Sequence, residues 1–113
     1  MGALVHLTTD VEADRQHALR STTVLQTNEE LGLEEVALLL HRDAVWMVAP
    51  DGPDREWVVD LVDAGITVTL GRTCLDARDI SYDAVPDGVD LVPSGVSEVV
   101  RRQQAGAAYV KIP

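Results

Sequence analysis

The run Glu35-Val36-Ala37-Leu38-Leu39-Leu40 places five apolar residues in succession. A strand with one solvated face alternates apolar and polar side chains, whereas a strand covered on both faces is apolar throughout. Other short apolar segments of the chain alternate with helical patterns, which is typical of strands that pair in parallel. The sequence therefore predicts an α/β fold, a three-layer α/β/α sandwich with a five-stranded, mainly parallel sheet.

The predicted elements fill the chain, so residues 1–113 are expected to form one domain. The pattern Thr9-x-x-Glu12 favours a capping box at the start of the first helix. Ser94 is predicted to cap the last helix. The apolar positions of that helix expected to face the core are Val96, Val99 and Val100. The predicted strands are Ala3–Leu7, Glu35–Leu40, Ile66–Leu70, Val89–Val92 and Ala108–Ile112.

Composition indicates the compartment. A single cysteine excludes a framework of disulfides within the chain, which fits a reducing cytosol. No apolar run approaches the roughly 18 residues of a membrane span. The first residues lack the basic start and long apolar segment of a secretory signal. We therefore expect a cytoplasmic protein without a membrane partner.

The charge balance is strongly acidic, with a net charge of −10 and a sequence pI of about 4.4. Such a surface repels phosphate backbones, so nucleic acid is not an expected partner. Lys111 is the only lysine, against eight arginines and nineteen acidic residues. This balance resembles that of proteins adapted to high intracellular salt, where ions screen the self-repulsion of the fold. An ordinary acidic domain from a GC-rich genome is the alternative.

The ends of parallel strands meet at one edge of the sheet, where ligands bind in open α/β folds. The predicted strands bring His6, His41, Cys74 and Ser94 to this edge. The turn Pro93-Ser94-Gly95 starts a helix, and its free N–H groups can hold an anion. His41 is a candidate base or anion contact, or simply a polar residue that ends its strand. His6 lies inside an apolar strand and is predicted to be a hydrogen-bonded core histidine.

Cys74 is expected in the first turn of a short helix capped by Thr73. The start of a helix and the neighbouring Arg72 favour a reactive thiolate, which Asp76 and Asp79 oppose. The alternative is a buried thiol that only fills space in the core.

Metal and cofactor chemistry have little support in the sequence. A zinc site of His6, His41 and Cys74 is a weak hypothesis, because no paired spacing such as CxxC or HxxxH is present. No Walker loop, GxGxxG motif, nucleophile elbow or metalloprotease helix occurs. We therefore predict neither a bound cofactor nor a metal.

Three motifs in the C-terminal part carry a family resemblance: Val92-Pro93-Ser94-Gly95-Val96, Gln103-Gln104-Ala105-Gly106 and Tyr109-Val110-Lys111. Together with Leu75-Asp76-Ala77-Arg78 and the opening Val5-His6-Leu7-Thr8-Thr9-Asp10, they resemble the DsrE/DsrF-like family of small α/β proteins of intracellular sulfur metabolism. The resemblance covers essentially the whole chain.

The resemblance implies a sulfurtransferase-type fold and assembly into homo-oligomers, as trimers or hexamers. In active members of the family, a cysteine after the third strand carries sulfur as a persulfide between partner proteins. Sulfur donor and acceptor proteins are therefore implied as partners. Many members have no established activity.

The sequence departs from the family at the position of that cysteine. The usual pattern is Cys, any residue, then Asn, Ser or Thr, then Leu, and Gly71 occupies the cysteine position here. Cys74 follows about one helical turn later, so it is a displaced candidate thiol. Arg42 likewise replaces a glycine often found after the second strand.

The leading hypothesis is a DsrE-like protein of a sulfur relay, sulfurtransferase-like if active, in which Cys74 carries the persulfide. The residues expected to line its ligand pocket are His41, Arg42, Gly71, Arg72, Thr73, Ser94 and Gly95. The alternative is a non-catalytic subunit of a homo-oligomer that binds a small anion or serves as a scaffold, and that has lost sulfur transfer.

Overall fold

Five parallel strands form one sheet in the computed structural model, which describes residues 1–113. The strands are β1 (Gly2–Leu7), β2 (Glu35–Leu40), β3 (Thr67–Gly71), β4 (Asp90–Val92) and β5 (Ala108–Ile112). Their order across the sheet is β4-β3-β2-β1-β5, and each neighbouring pair is parallel. The predicted α/β sandwich with a five-stranded sheet is confirmed, and the sheet is entirely rather than mainly parallel.

Four α-helices connect the strands. They are α1 (Glu12–Thr27), α2 (Arg55–Asp63), α3 (Arg72–Asp76) and α4 (Gly95–Gln104). Short 3₁₀ helices add the segments Glu29–Leu31, Arg42–Val48 and Tyr82–Ala84. None of the helices is both long and apolar enough to cross a lipid bilayer.

The two faces of the sheet are covered unequally. The strand order moves one position at a time from β1 to β4, so right-handed crossovers keep these connections on one face. Twenty-one buried residues form the main core on that side, and it includes Leu38 and Leu40 of β2. The return from β4 to β5 runs in the opposite direction, which places α4 on the other face. There only Leu4, Ala37 and Leu39 form a small cluster, packed against Val99 and Ala107.

The helix α4 turns a polar side toward the sheet. Gly95 and Glu98 are buried, and Arg102 joins Glu98 and Glu35 of β2 by ion pairs of 2.8 and 2.7 Å. Hydrogen bonds from Arg101 and then Arg102 hold the pKa of Glu98 below its usual value.

The prediction that Val96 and Val100 face the core is wrong. These side chains are 62% and 53% exposed, whereas Val99 is partly buried. A helix has one inward stripe, and Gly95, Glu98 and Arg102 occupy it here because the sheet beneath offers His41 and Glu35 as partners.

The start of α1 also differs from the sequence-based prediction. Val11 is the N-cap residue and makes no side-chain capping bond, so Thr9 and Glu12 do not form a capping box. Instead the Thr9 hydroxyl accepts the N–H of Val11 at 2.9 Å and donates to Asp14 at 3.3 Å. The threonine therefore closes a turn before the helix rather than its first helical turn.

Candidate functional site

The carboxyl edge of the sheet holds two histidines in direct contact. The Nε2 atom of His6 lies 2.9 Å from the Nδ1 atom of His41, and their stacked rings have centroids 5.1 Å apart. The other nitrogen of His6, Nδ1, lies 2.7 Å from the hydroxyl of Tyr109 on β5. His6 is 6% exposed, so the prediction of a hydrogen-bonded core histidine is confirmed.

Both imidazoles are neutral at neutral pH. Burial, followed by the charges of His41 and Lys111, lowers the pKa of His6 from 6.5 to about 4. Burial also lowers the pKa of His41, with further contributions from Arg42, Lys111 and Arg78. The histidine pair therefore lies in positive surroundings, although the chain as a whole is acidic.

The first turn of α4 packs directly on His41. Ser94 caps this helix as predicted, since its side chain accepts the N–H of Ser97. A Cβ atom on Gly95 would lie 2.7 Å from Cδ2 of His41, so glycine is required for the contact. The N–H groups of Gly95 and Val96 have no hydrogen-bond partner within the chain, as expected for the first residues of a helix.

Gly71 ends β3 and packs against the same helix start. Its φ of −85° is open to any residue, so backbone conformation does not demand glycine here. The demand is steric, because a Cβ atom at this position would lie 2.8 Å from the amide nitrogen of Gly95. A side chain at position 71 therefore requires the start of α4 to move away from the sheet.

Cys74 lies on the other side of the sheet from the histidines. It is the third residue of α3, which Gly71 rather than Thr73 precedes as N-cap, so the predicted Thr73 cap is wrong. Its side chain is 7% exposed and belongs to the main core. The Sγ atom accepts the N–H of Arg42 at 3.2 Å. The imidazole of His41 instead contacts His6 and Gly95 on the face of α4.

The remaining predicted site residues lie at the rim. Arg42, Arg72 and Thr73 are exposed, and Arg42 has a left-handed φ of 55°. No three His, Cys, Asp or Glu side chains come together as a possible metal site, so the trio of His6, His41 and Cys74 does not converge.

Tyr109 and Lys111 were not among the predicted site residues. They lie opposite Leu4 and His6 in the pairing of β5 with β1, on the face of α4. The motif that contains both residues was visible in the sequence, but its position beside β1 follows only from the strand order.

The largest cleft of the molecule lies elsewhere. It has a volume of about 780 Å³ and is lined by Asp51, Asp54, Arg55, Glu56, Trp57 and Asp83, among others. The histidine pair lies outside it and presents a shallow edge rather than a deep cavity. We assign the candidate site to the edge because unpaired donors and perturbed imidazoles meet there.

No protein-family model and no curated protein matches the chain. Three solved structures are similar to it over nearly its whole length. MTH1491 of Methanobacterium thermoautotrophicum, a protein of unknown function, has a TM-score of 0.82 and 26% sequence identity, with 96% of each chain covered. YchN of E. coli has a TM-score of 0.77 and 21% identity, with 98% of this chain and 99% of YchN covered.

BT1422 of Bacteroides thetaiotaomicron, another protein of unknown function, has a TM-score of 0.71 and 14% identity, with 97% of this chain and 94% of BT1422 covered. The chain has a DsrE/DsrF-like fold. The similarity extends over 94–99% of each neighbour, so the fold is shared as a whole.

We expect the substitution Gly95→Ala to destabilise the protein by about 1–3 kcal/mol, because the added methyl group collides with the His41 ring. Helix propensity alone predicts that Gly95→Ala stabilises the protein, since alanine is favoured over glycine in a helix. Denaturant unfolding followed by circular dichroism measures the difference. Ser97→Ala, an exposed change in the same turn, is the control and should stay within about 0.5 kcal/mol of the parent protein. Equal or greater stability of Gly95→Ala contradicts the tight contact.

Proposed function

We propose that the protein is a non-catalytic, anion-binding subunit of a cytoplasmic homo-oligomer with a DsrE-like fold. The site is the carboxyl edge of the sheet, where His41 faces the start of α4. The observation that carries the proposal is the unpartnered Nε2 atom of His41, beside the free N–H groups of Gly95 and Val96.

The Nε2 atom of His41 and the two N–H groups can all donate hydrogen bonds to the same small ligand. The Nδ1 atom of His41 is used by His6, and its Nε2 atom has no partner within the chain. Helix starts attract anions because their first N–H groups are unpaired and the helix dipole is positive there. A small oxyanion can accept hydrogen bonds from the imidazole and the helix together.

Local charge supports an anion at this edge. Lys111, Arg42 and Arg78 all lower the pKa of His41, which means that their positive charges act on the same place. Asp43 offsets part of this effect through its ion pair with Arg78 at 2.8 Å. Arg42 and Lys111 make no ion pair and remain to attract a ligand from an otherwise acidic surface.

Steric packing argues against sulfur transfer at the usual family position. Gly71 occupies that position, and a cysteine there would collide with the amide of Gly95. The only thiol, Cys74, faces the main core rather than the edge.

Sulfate is the probe for the anion site, because it carries no proton at neutral pH and only accepts hydrogen bonds. In an isothermal titration, we expect the His41→Gln variant to bind sulfate at least about tenfold more weakly than the parent. Loss of a hydrogen bond to a charged group is worth about 1.5–3 kcal/mol.

His17→Gln is the matched control, since His17 is an α1 side chain away from the edge. It should leave sulfate affinity unchanged. If the parent protein does not bind sulfate, or if His41→Gln binds sulfate with equal affinity, the proposed anion site is contradicted.

A sulfur relay through Cys74 is the second candidate function. It is favoured by the N–H of Arg42, which donates to the Sγ atom and can stabilise a thiolate or a persulfide. In this reaction the Cys74 thiolate attacks the outer sulfur of a donor persulfide. A new S–S bond forms, the donor's S–S bond breaks and the donor thiolate leaves.

The buried position of Cys74 predicts slow thiol chemistry in the folded protein. We expect iodoacetamide to label Cys74 at least about a hundredfold more slowly in the native state than in denaturant, where no fold shields the thiol. Mass spectrometry after incubation with a persulfide donor should show no gain of one sulfur atom. A rapid gain in the parent protein that is absent from Cys74→Ser would instead establish the relay.

The proposed homo-oligomer would bury the open part of the α4 face. Val96 and Val100 are exposed neighbours on the outer side of α4, one helical turn apart. These side chains form an apolar surface that a second copy of the chain can cover.

Light scattering should give a trimer or hexamer for the parent protein. Val100→Glu should shift it toward monomer, because a buried carboxylate in an apolar contact is costly. Val24→Glu on α1 is the control and should keep the parent mass, because Val24 is also exposed (61%) but lies on the opposite layer. A monomeric parent protein at every salt concentration contradicts the assembly.

A further inference from the structure

The histidine pair extends beyond His6 to Tyr109, which makes a chain of three side chains. The Tyr109 hydroxyl contacts Nδ1 of His6 at 2.7 Å, and Nε2 of His6 contacts Nδ1 of His41 at 2.9 Å. The chain begins at a tyrosine that is 39% exposed and ends at the free Nε2 atom of His41. It therefore joins solvent on the β5 side to the candidate ligand edge.

Both nitrogens of His6 are engaged, which couples the two rings. A neutral imidazole has one N–H and one lone pair. If His6 carries its proton on Nε2, it donates to Nδ1 of His41, whose own proton must then lie on Nε2. If His41 carries its proton on Nδ1, it donates to Nε2 of His6, whose proton must then lie on Nδ1.

The two mixed arrangements are unfavourable. In one of them two N–H groups face each other across 2.9 Å, and in the other two lone pairs do. Both leave polar atoms of a buried ring without a partner, which costs free energy. The rings must therefore adopt the same tautomer.

We propose that Tyr109, His6 and His41 form a proton relay in which both imidazoles change tautomer together, so that Nε2 of His41 is a neutral donor in one state and a neutral acceptor in the other. His6 and Tyr109 are the positioning residues of this relay. The Tyr109 hydroxyl permits both states, because it donates to His6 in the first and accepts from it in the second.

The exchange between the states conserves protons and charge. The Tyr109 hydroxyl proton moves to Nδ1 of His6, and the His6 proton moves from Nε2 to Nδ1 of His41. The Nε2 proton of His41 passes to water or to a ligand, and the Tyr109 oxygen takes a proton from water. No ring becomes charged, which agrees with the neutral imidazoles that burial favours.

The relay deepens the proposed anion site, and this part rests on that proposed function. A ligand without a proton, such as sulfate, selects the state in which Nε2 of His41 donates. A ligand that carries an acidic proton can be bound by the other state. The site can thus accept both forms of a weak acid without a change in its own charge.

The experiment is nitrogen NMR of the protein labelled with ¹⁵N-histidine, in which only three histidines contribute. Protonated and lone-pair ring nitrogens differ widely in chemical shift. We expect His6 and His41 to have equal, intermediate tautomer populations, and a scalar coupling between His6 Nε2 and His41 Nδ1 across their hydrogen bond. His17 serves as the internal reference, because it lies outside the relay.

The variant Tyr109→Phe removes the hydroxyl and leaves Nδ1 of His6 without a partner. An unpaired buried lone pair costs less than an unpaired N–H, so both rings should shift fully to the Nε2–H tautomer. The readout is the change of tautomer at His41. Tyr109 does not contact His41, so a purely structural role of Tyr109 would not produce this change. Tyr82→Phe, which removes an exposed hydroxyl bonded to Asp76, is the control and should change neither ring.

Opposite tautomers in the two rings, absence of the coupling, or a tautomer at His41 that does not respond to Tyr109→Phe would each overturn the relay. Sulfate added to the parent protein should shift both rings to the Nε2–H state. If the rings change together without ligand but sulfate has no effect, the relay stands and the anion site fails.

Discussion

The return of the chain from β4 to β5 determines most of what is specific to this molecule. Four strands follow one another across the sheet, and the fifth must cross back to pair with β1 on the far side. The right-handed crossover rule then leaves α4 alone on one face. A helix of ten residues cannot cover five strands. It packs on β1, β2 and the end of β3, and it leaves β5 exposed. The histidine pair lies at the boundary between the covered and the open part.

Polar contacts hold α4 in place where apolar packing is scarce. Glu98 is buried between Arg101 and Arg102, and Arg102 continues to Glu35 at the start of β2. Removal of one member of such a buried network leaves a charge without compensation. At the other end of the helix, Gly95 rests on His41 and Gly71 with no side chain between them. The position of the helix start, and hence of the candidate site, depends on these two ends together.

Local patterns in the sequence were sufficient for the architecture. The apolar run of β2 and the alternation of strands with helices predicted a parallel α/β sandwich, and Ser94 was correctly predicted as a cap. The prediction for the inward side of α4 is wrong because it rests on hydrophobicity alone. In the structure the deciding contacts are ionic, between Arg102 of α4 and Glu35 of β2, residues that are 67 positions apart.

The site was predictable only in part, for a related reason. Strand ends predicted that His6 and His41 meet at one edge, and they do. Tyr109 joined them only through the pairing of β5 with β1, which depends on the order of the strands rather than on any local pattern. The side of the sheet to which Cys74 points could not be predicted from the sequence either, because α3 has only five residues and no clear periodicity.

The contact between Gly71 and Gly95 has an evolutionary consequence. A side chain at the end of β3 and a helix seated on the neighbouring imidazole need the same space. During evolution, a protein can keep either a side chain at position 71 or the helix start at its present position. A change from one to the other requires substitutions at the strand end and the helix start together. A single substitution at either glycine produces a clash, so isolated point mutations at these two positions are poorly tolerated.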